Sequence, residues 1–217
     1  MLNVVLLVVA FITAVPYVAE CDTIDLDAHG AGIWANGAKL PFADDEFTAI
    51  RSPNGVFSVS GSIKGLSLIS NGKSSPLNII VNPPLMEVLW APDSQKFGIN
   101  VSDGGLVGTW EAYIYSIDDH GDPVPLDIPR LIMSISDEIL QCEPKEEPNI
   151  GIVAWLNDSK EALLILEVPP HSSCRNMGAI TGFRIAVETK KIIERISEVE
   201  LRRNWGKALG SRFITNH

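Results

Sequence analysis

A short motif occurs three times in this chain, and it constrains the fold more than any other feature. The copies are Ile50-Arg51-Ser52-Pro53-Asn54-Gly55-Val56-Phe57-Ser58-Val59, Leu89-Trp90-Ala91-Pro92-Asp93-Ser94-Gln95-Lys96-Phe97-Gly98-Ile99 and Ala154-Trp155-Leu156-Asn157-Asp158-Ser159-Lys160-Glu161-Ala162-Leu163-Leu164. Each is an apolar run, a tight polar turn and a second apolar run. Proline at the first central turn position pre-sets φ, and an Asn or Asp beside it bonds the backbone beyond. Each copy therefore reads as a β-hairpin inside a repeated unit.

Around each hairpin the pattern supplies four strands. They are expected at Phe47–Ser52, Val56–Ser60, Ile63–Ser70 and Leu77–Val81 in the first unit, with Asn71-Gly72 as a two-residue turn. In the second they fall at Met86–Ala91, Lys96–Ser102, Gly108–Ile117 and Val124–Ile128, and in the third at Ile150–Trp155, Ala162–Val168, Ile180–Glu188 and Lys191–Ile196. Alternation in Tyr113-Ile114-Tyr115-Ser116-Ile117 and Phe183-Arg184-Ile185-Ala186-Val187 fits strands with one wetter face.

The second motif, Trp90-Ala91-Pro92-Asp93-Ser94-Gln95-Lys96-Phe97, resembles the Trp-Ser-Pro-Asp-Gly core of the WD40-like repeats in TolB-type β-propellers. The first copy has Arg51 where that pattern has Trp, and the third has Asn157 where it has Pro. The resemblance implies an all-β fold of three four-stranded antiparallel blade-like sheets, an incomplete or irregular propeller, because closed propellers usually hold at least four blades. A β-sandwich is the alternative.

Three segments lie outside the repeat. Residues Asp22 to Leu40 offer further strands at Thr23–Asp27 and Gly32–Trp34. Arg130 to Asn149 reads as an exposed insertion with a turn of helix at Ser136–Gln141. Ser197 to Leu209 reads as a helix: Ser197 and Glu200 have capping-box spacing, Leu201, Trp205, Ala208 and Leu209 share a face, and Gly210 is a stop. Its expected role is to cover a sheet edge or face.

Met1 to Ala19 carries no charged residue, and Val4 to Ala14 is nearly unbroken Val, Leu, Ile, Phe and Ala. This reads as a signal peptide, with residues 20–217 as one domain and a periplasmic or secreted destination. An uncleaved anchor is the alternative, and it would be the chain's one contact with a membrane; the run is slightly short of the roughly 20 apolar residues a span needs. The net charge of −10 repels phosphate backbones and argues against nucleic acid. It suits a basic protein partner, and a homo-oligomer is a further expectation. Of the three cysteines, Cys142 and Cys174 flank the third unit and are the expected disulfide, with three free thiols as the other reading.

No residue set specifies a cofactor, a metal site or a catalytic group. His171 sits near Ser172, Ser173 and Cys174, where a nucleophile and base could pair, but no nucleophile-elbow motif is present. Asp118, Asp119 and His120 belong to a carboxylate-rich turn without the spacing of a calcium loop. Trp34 and Trp110 lie near turns, where exposed aromatics would serve as binding anchors and buried ones as core. Trp34, Trp110, Asp118, Asp119, His120 and His171 are therefore the candidate binding residues. The expected function is non-enzymatic binding in the cell envelope, one version being an inhibitor or immunity protein for a secreted effector. A periplasmic or secreted hydrolase, or a structural subunit completed by a partner chain, are the alternatives.

Overall fold

The computed structural model describes residues 32–43, 46–62, 64–79, 81–105 and 109–214. Residues 1–19, expected as a signal segment, lie outside these residues, as do Cys21, Thr23–Asp27 and His29. The chain is all-β, with three four-stranded antiparallel sheets in sequential order. A small hairpin, β1 (Phe42–Ala43) and β2 (Glu46–Phe47), precedes them. The first sheet holds β3 (Ile50–Arg51), β4 (Phe57–Ser62), β5 (Gly65–Ser70) and β6 (Lys73–Leu77). The second holds β7 (Met86–Trp90), β8 (Lys96–Ser102), β9 (Trp110–Ile117) and β10 (Pro123–Leu126). Helix α1 (Ile128–Met133) leads into the third sheet: β11 (Asn149–Leu156), β12 (Glu161–Glu167), β13 (Ile180–Ala186) and β14 (Lys191–Ile196). Helix α2 (Glu198–Trp205) follows.

The expected strands of the second and third units stand with small shifts at their ends. The fourth strand of the first unit does not. It lies at Lys73–Leu77 rather than Leu77–Val81, because Asn71 and Gly72 both take positive φ, 48° and 80°, and return the chain at once, pairing Ser70 with Lys73. The polar run Lys73-Ser74-Ser75 disguised this strand, whose first two residues face solvent. Helix α1 replaces the expected end of a strand at Ile128 and the start of a loop at Arg130; Pro129 in its first turn fits a helix start. The expected helical turn at Ser136–Gln141 is a short 3-10 turn, Ser136–Glu138. Helix α2 has the full capping box, Ser197 Oγ accepting from the Glu200 amide, but it ends at Trp205 and passes into a 3-10 turn at Gly206–Ala208.

The sheets stack through two apolar cores that share the second sheet. Phe97, Ile99, Val101, Tyr115 and Ile117 pack with Val59, Leu66 and Leu68 of the first sheet. From the opposite face, Ala112 and Ile114 pack with Ile152, Leu164 and Phe183 of the third. At Gly98 a Cβ would come within 2.6 Å of the Ile152 side chain, so only glycine allows this approach.

The repeated motif forms the joints between sheets. Trp90 Nε1 donates to the Ile50 carbonyl and Trp155 Nε1 to the Leu89 carbonyl, both at 3.1 Å. The turns repeat the relation: the Asn54 amide donates to Ser94 Oγ and the Asp93 amide to Ser159 Oγ, again both at 3.1 Å. Ser94 and Ser159 hold φ of 61° and 65° with 1% exposure. The first unit, which has no predecessor among the described residues, has exposed Arg51 in place of the Trp and Gly55, at φ 73°, in place of the Ser.

The segment expected as a strand at Gly32–Trp34 is a strap. It pairs with β7 through Lys39 and Val88 and with the C-terminal segment through Ala35 and Leu209. Gly210, Ser211 and Arg212 donate their amides to the carbonyls of Trp34, Gly32 and Ile33. The carboxylate of Glu87, fully buried, accepts from the amides of Ile33, Trp34 and Ala35 and from Asn100 Nδ2. Asn100 in turn brackets Ile152, its Nδ2 donating to the carbonyl and its Oδ1 accepting from the amide, both at 2.8 Å. One polar centre thus joins strap, second sheet and third sheet. Burial pushes the Glu87 carboxyl up, against the pull of its hydrogen bonds.

Candidate functional site

Trp34 and Trp110 are brought together, but in the interior. Their exposures are 0% and 4%, and the ring centroids lie 6.0 Å apart. They form no exposed aromatic patch. Arg212 places its guanidinium 5.3 Å from the Trp34 ring and 5.6 Å from the Trp110 ring. It also donates to Glu167, at 2.6 Å through Nη2 and 3.0 Å through Nε. Asn149 completes the group, giving its amide proton to Glu167 and accepting from the Trp110 backbone amide. These contacts fix the C-terminal segment between the second and third sheets, an architectural role for both indoles.

The acidic turn is also engaged within the fold. Asp118 Oδ1 accepts from the amides of His120 and Asp122, at 2.9 and 2.8 Å, closing its own turn. Asp122 pairs with Lys73 at 2.6 Å and accepts from Ser75 Oγ, which fastens the β9–β10 hairpin to β6 of the first sheet. The Lys73 ammonium, and then Ser75, hold the Asp122 carboxyl below the usual carboxylate range. Asp119 and His120 are exposed at the tip. Among the described residues no group of three His, Cys, Asp or Glu side chains gathers in a metal-ligating arrangement.

His171 is exposed on the loop between β12 and β13. The hydroxyls beside it are committed elsewhere: Ser172 donates to the Pro169 carbonyl at 2.6 Å and Ser173 to the Pro144 carbonyl at 3.1 Å. Cys142 and Cys174 form a disulfide. With the Arg175 amide on the Gln141 carbonyl and Asn176 Nδ2 on the Ile139 carbonyl, both at 2.9 Å, it binds the insertion after α1 to the His171 loop. No helix among the described residues is long and apolar enough to cross a membrane.

Of the residues singled out from the sequence as candidate binding residues, Trp110 alone lines the main concavity. It is an open trench of about 610 Å³ at the rim between the first and second sheets, bounded beyond β10 by α1. Its walls include Pro76, Tyr113, Pro125, Leu126, Pro129 and Met133. A second depression of about 600 Å³ shares Pro76, Asn78 and Tyr113 with it and continues along β5 and β6. The polar groups are few. Tyr113 donates to Glu111 at 2.5 Å, and burial together with this carboxylate pushes its phenol up. Glu111, Asp127 and Arg130 line the trench without an ion-pair partner among the described residues. Trp110 reaches the trench wall with only 4% of its surface exposed. The alternation through Tyr113 and the prolines at 123 and 125 was visible in the sequence, but the trench needs β6 and α1 beside them, and those two elements were misplaced there.

Comparison with protein-family models, with curated proteins and with solved structures gives no match.

Proposed function

We propose that this is an exported, non-enzymatic binding protein that holds a protein partner in the rim trench, on a scaffold of three propeller-type units. The observation that carries the reading is the trench itself: extended, open, walled by proline and aromatic side chains, and without a paired nucleophile and base. Its volume lies in the range of ligand sites, while its length along two sheets suits a chain better than a small molecule. The twice-repeated Trp and Ser joints support the propeller-type reading of the units. The disulfide and the apolar N-terminal run support export. A net charge of −10 favours a basic partner, of which a secreted effector is one version. The outward face of the first sheet is mostly polar, with Arg51, Ser58, Ser60, Ser67 and Ser74 around Ile69, and α2 packs Leu201 over Gly182 of the third.

The test is site-specific photo-crosslinking from position 125 in the native envelope. A discrete adduct that disappears with Met133→Arg supports the reading. Equal labelling from position 125 and from a control position on α2, such as Val199, would refute it.

A further inference from the structure

We infer that the rim trench takes an extended, proline-rich peptide carrying a basic residue, an inference that rests on the binding function proposed above. Two modes are open to an extended chain at a sheet rim. It can add a strand to an edge, or it can lie across side chains as a polyproline helix. The trench closes off the first. Its edge strands are β6 and β10, and they carry Pro76, Pro123 and Pro125, which have no amide proton to give a new ladder.

The lining suits the second mode. Prolyl rings dock between rigid apolar and aromatic walls, and such a ligand is already extended, so little conformational entropy is lost on binding. Tyr113, Pro76, Pro125 and Met133 supply the walls, and Met133 is 39% exposed. A polyproline chain offers carbonyl acceptors and no amide donors. The side-chain amide of Asn78, at the junction of the two depressions, is a donor. Glu111 and Asp127 are carboxylates with no ion-pair partner among the described residues, and they set the preference for Lys or Arg beside the prolines. Arg130, at the α1 end, orients the ligand by repelling its basic residue toward Glu111.

The experiment is fluorescence anisotropy of the full chain, disulfide intact, with a fluorescein-labelled oligoproline flanked by arginine. Saturable binding is expected. It should weaken about tenfold or more in Met133→Arg, whose parent side chain is already exposed, and in Tyr113→Ala, with thermal unfolding of each variant recorded as the control. Glu111→Gln should weaken it several-fold and reduce its salt dependence. Three results overturn the inference: no binding by the parent protein, equal binding of a glycine–serine peptide with the same arginines, or affinity unchanged in Met133→Arg. If the oligoproline fails while position 125 still crosslinks a discrete envelope protein, the ligand class is wrong and the binding function stands. If both fail, the functional reading falls with it.

Discussion

Replacing Glu87 by Gln tests the polar centre of the fold with a change of one atom. The carboxylate accepts from three consecutive strap amides and from Asn100. A Gln side chain keeps one acceptor oxygen and turns an NH2 group toward amide protons that need an acceptor. Hydrogen bonds to a charged group contribute about 1.5–3 kcal/mol each, and a buried donor left unpaired costs about 1–3 kcal/mol. Relief of the buried charge offsets part of this. The expected net loss is therefore about 2–4 kcal/mol, which for a domain of this size lowers Tm by roughly 4–16 °C. Urea unfolding at neutral pH, with the disulfide intact, gives the free energy. Hydrogen exchange at Ile33, Trp34 and Ala35 gives the location. A loss below about 0.5 kcal/mol with unchanged protection at those three amides would show that the carboxylate does not hold the strap.

The same residue sets a pH dependence. Because burial in the folded state raises the Glu87 carboxyl above its ordinary value of about 4.5, the folded protein binds the extra proton, and its contribution to stability falls as pH rises from about 4.5 through the folded value; the difference between parent and Glu87→Gln unfolding curves across that window should show this slope, and parallel curves would contradict it. Removing the disulfide by Cys142→Ser with Cys174→Ser opens a loop of sequence separation 32 and should cost about 3–4 kcal/mol in urea unfolding, with a cost under 1 kcal/mol counting against the chain-entropy account. Ser94→Ala keeps the positive φ and loses the bond to Asn54, for a loss of about 1–2 kcal/mol, whereas Ser94→Gly relieves the backbone while losing the same bond and should lie closer to neutral; the reverse order in chemical denaturation would refute the joint. Gly151→Ala drives a Cβ into the Trp34 ring and should cost about 1–3 kcal/mol, read as a Tm shift.

Much of the fold was legible because the hairpins are local. Pro92-Asp93 and the apolar runs around it place β7 and β8 to within a residue, and Lys191–Ile196 matches β14. What failed depends on neighbours. Lys73-Ser74-Ser75 is polar because β6 is an outer strand, and Asp122 of the next sheet, which holds Lys73 and Ser75, is invisible to a local reading. The sequence left Trp34 open between core and binding anchor, because the partners that bury it, Gly151, Trp110 and Phe213, lie far along the chain. The disulfide followed from flanking position. The trench did not, since it is made of side chains from two sheets and a six-residue helix that no periodicity announces.

The clasp between the strap and the C-terminal segment governs the order in which the protein can be finished. Each sheet is a meander that closes from contiguous chain, so its hairpins form without waiting for distant sequence. The strap cannot. Asn36 bonds the carbonyl of Lys207 through its side chain and that of Ala208 through its amide, partners separated by 171 residues in the first case. A chain that emerges amino end first therefore leaves the carbonyls of Gly32, Ile33 and Trp34 without their amide partners until residues 210 to 212 arrive, although the amides of Ile33, Trp34 and Ala35 can meet Glu87 earlier. Those carbonyls stay hydrated until then, and closure of the clasp marks the arrival of residues 207 to 212.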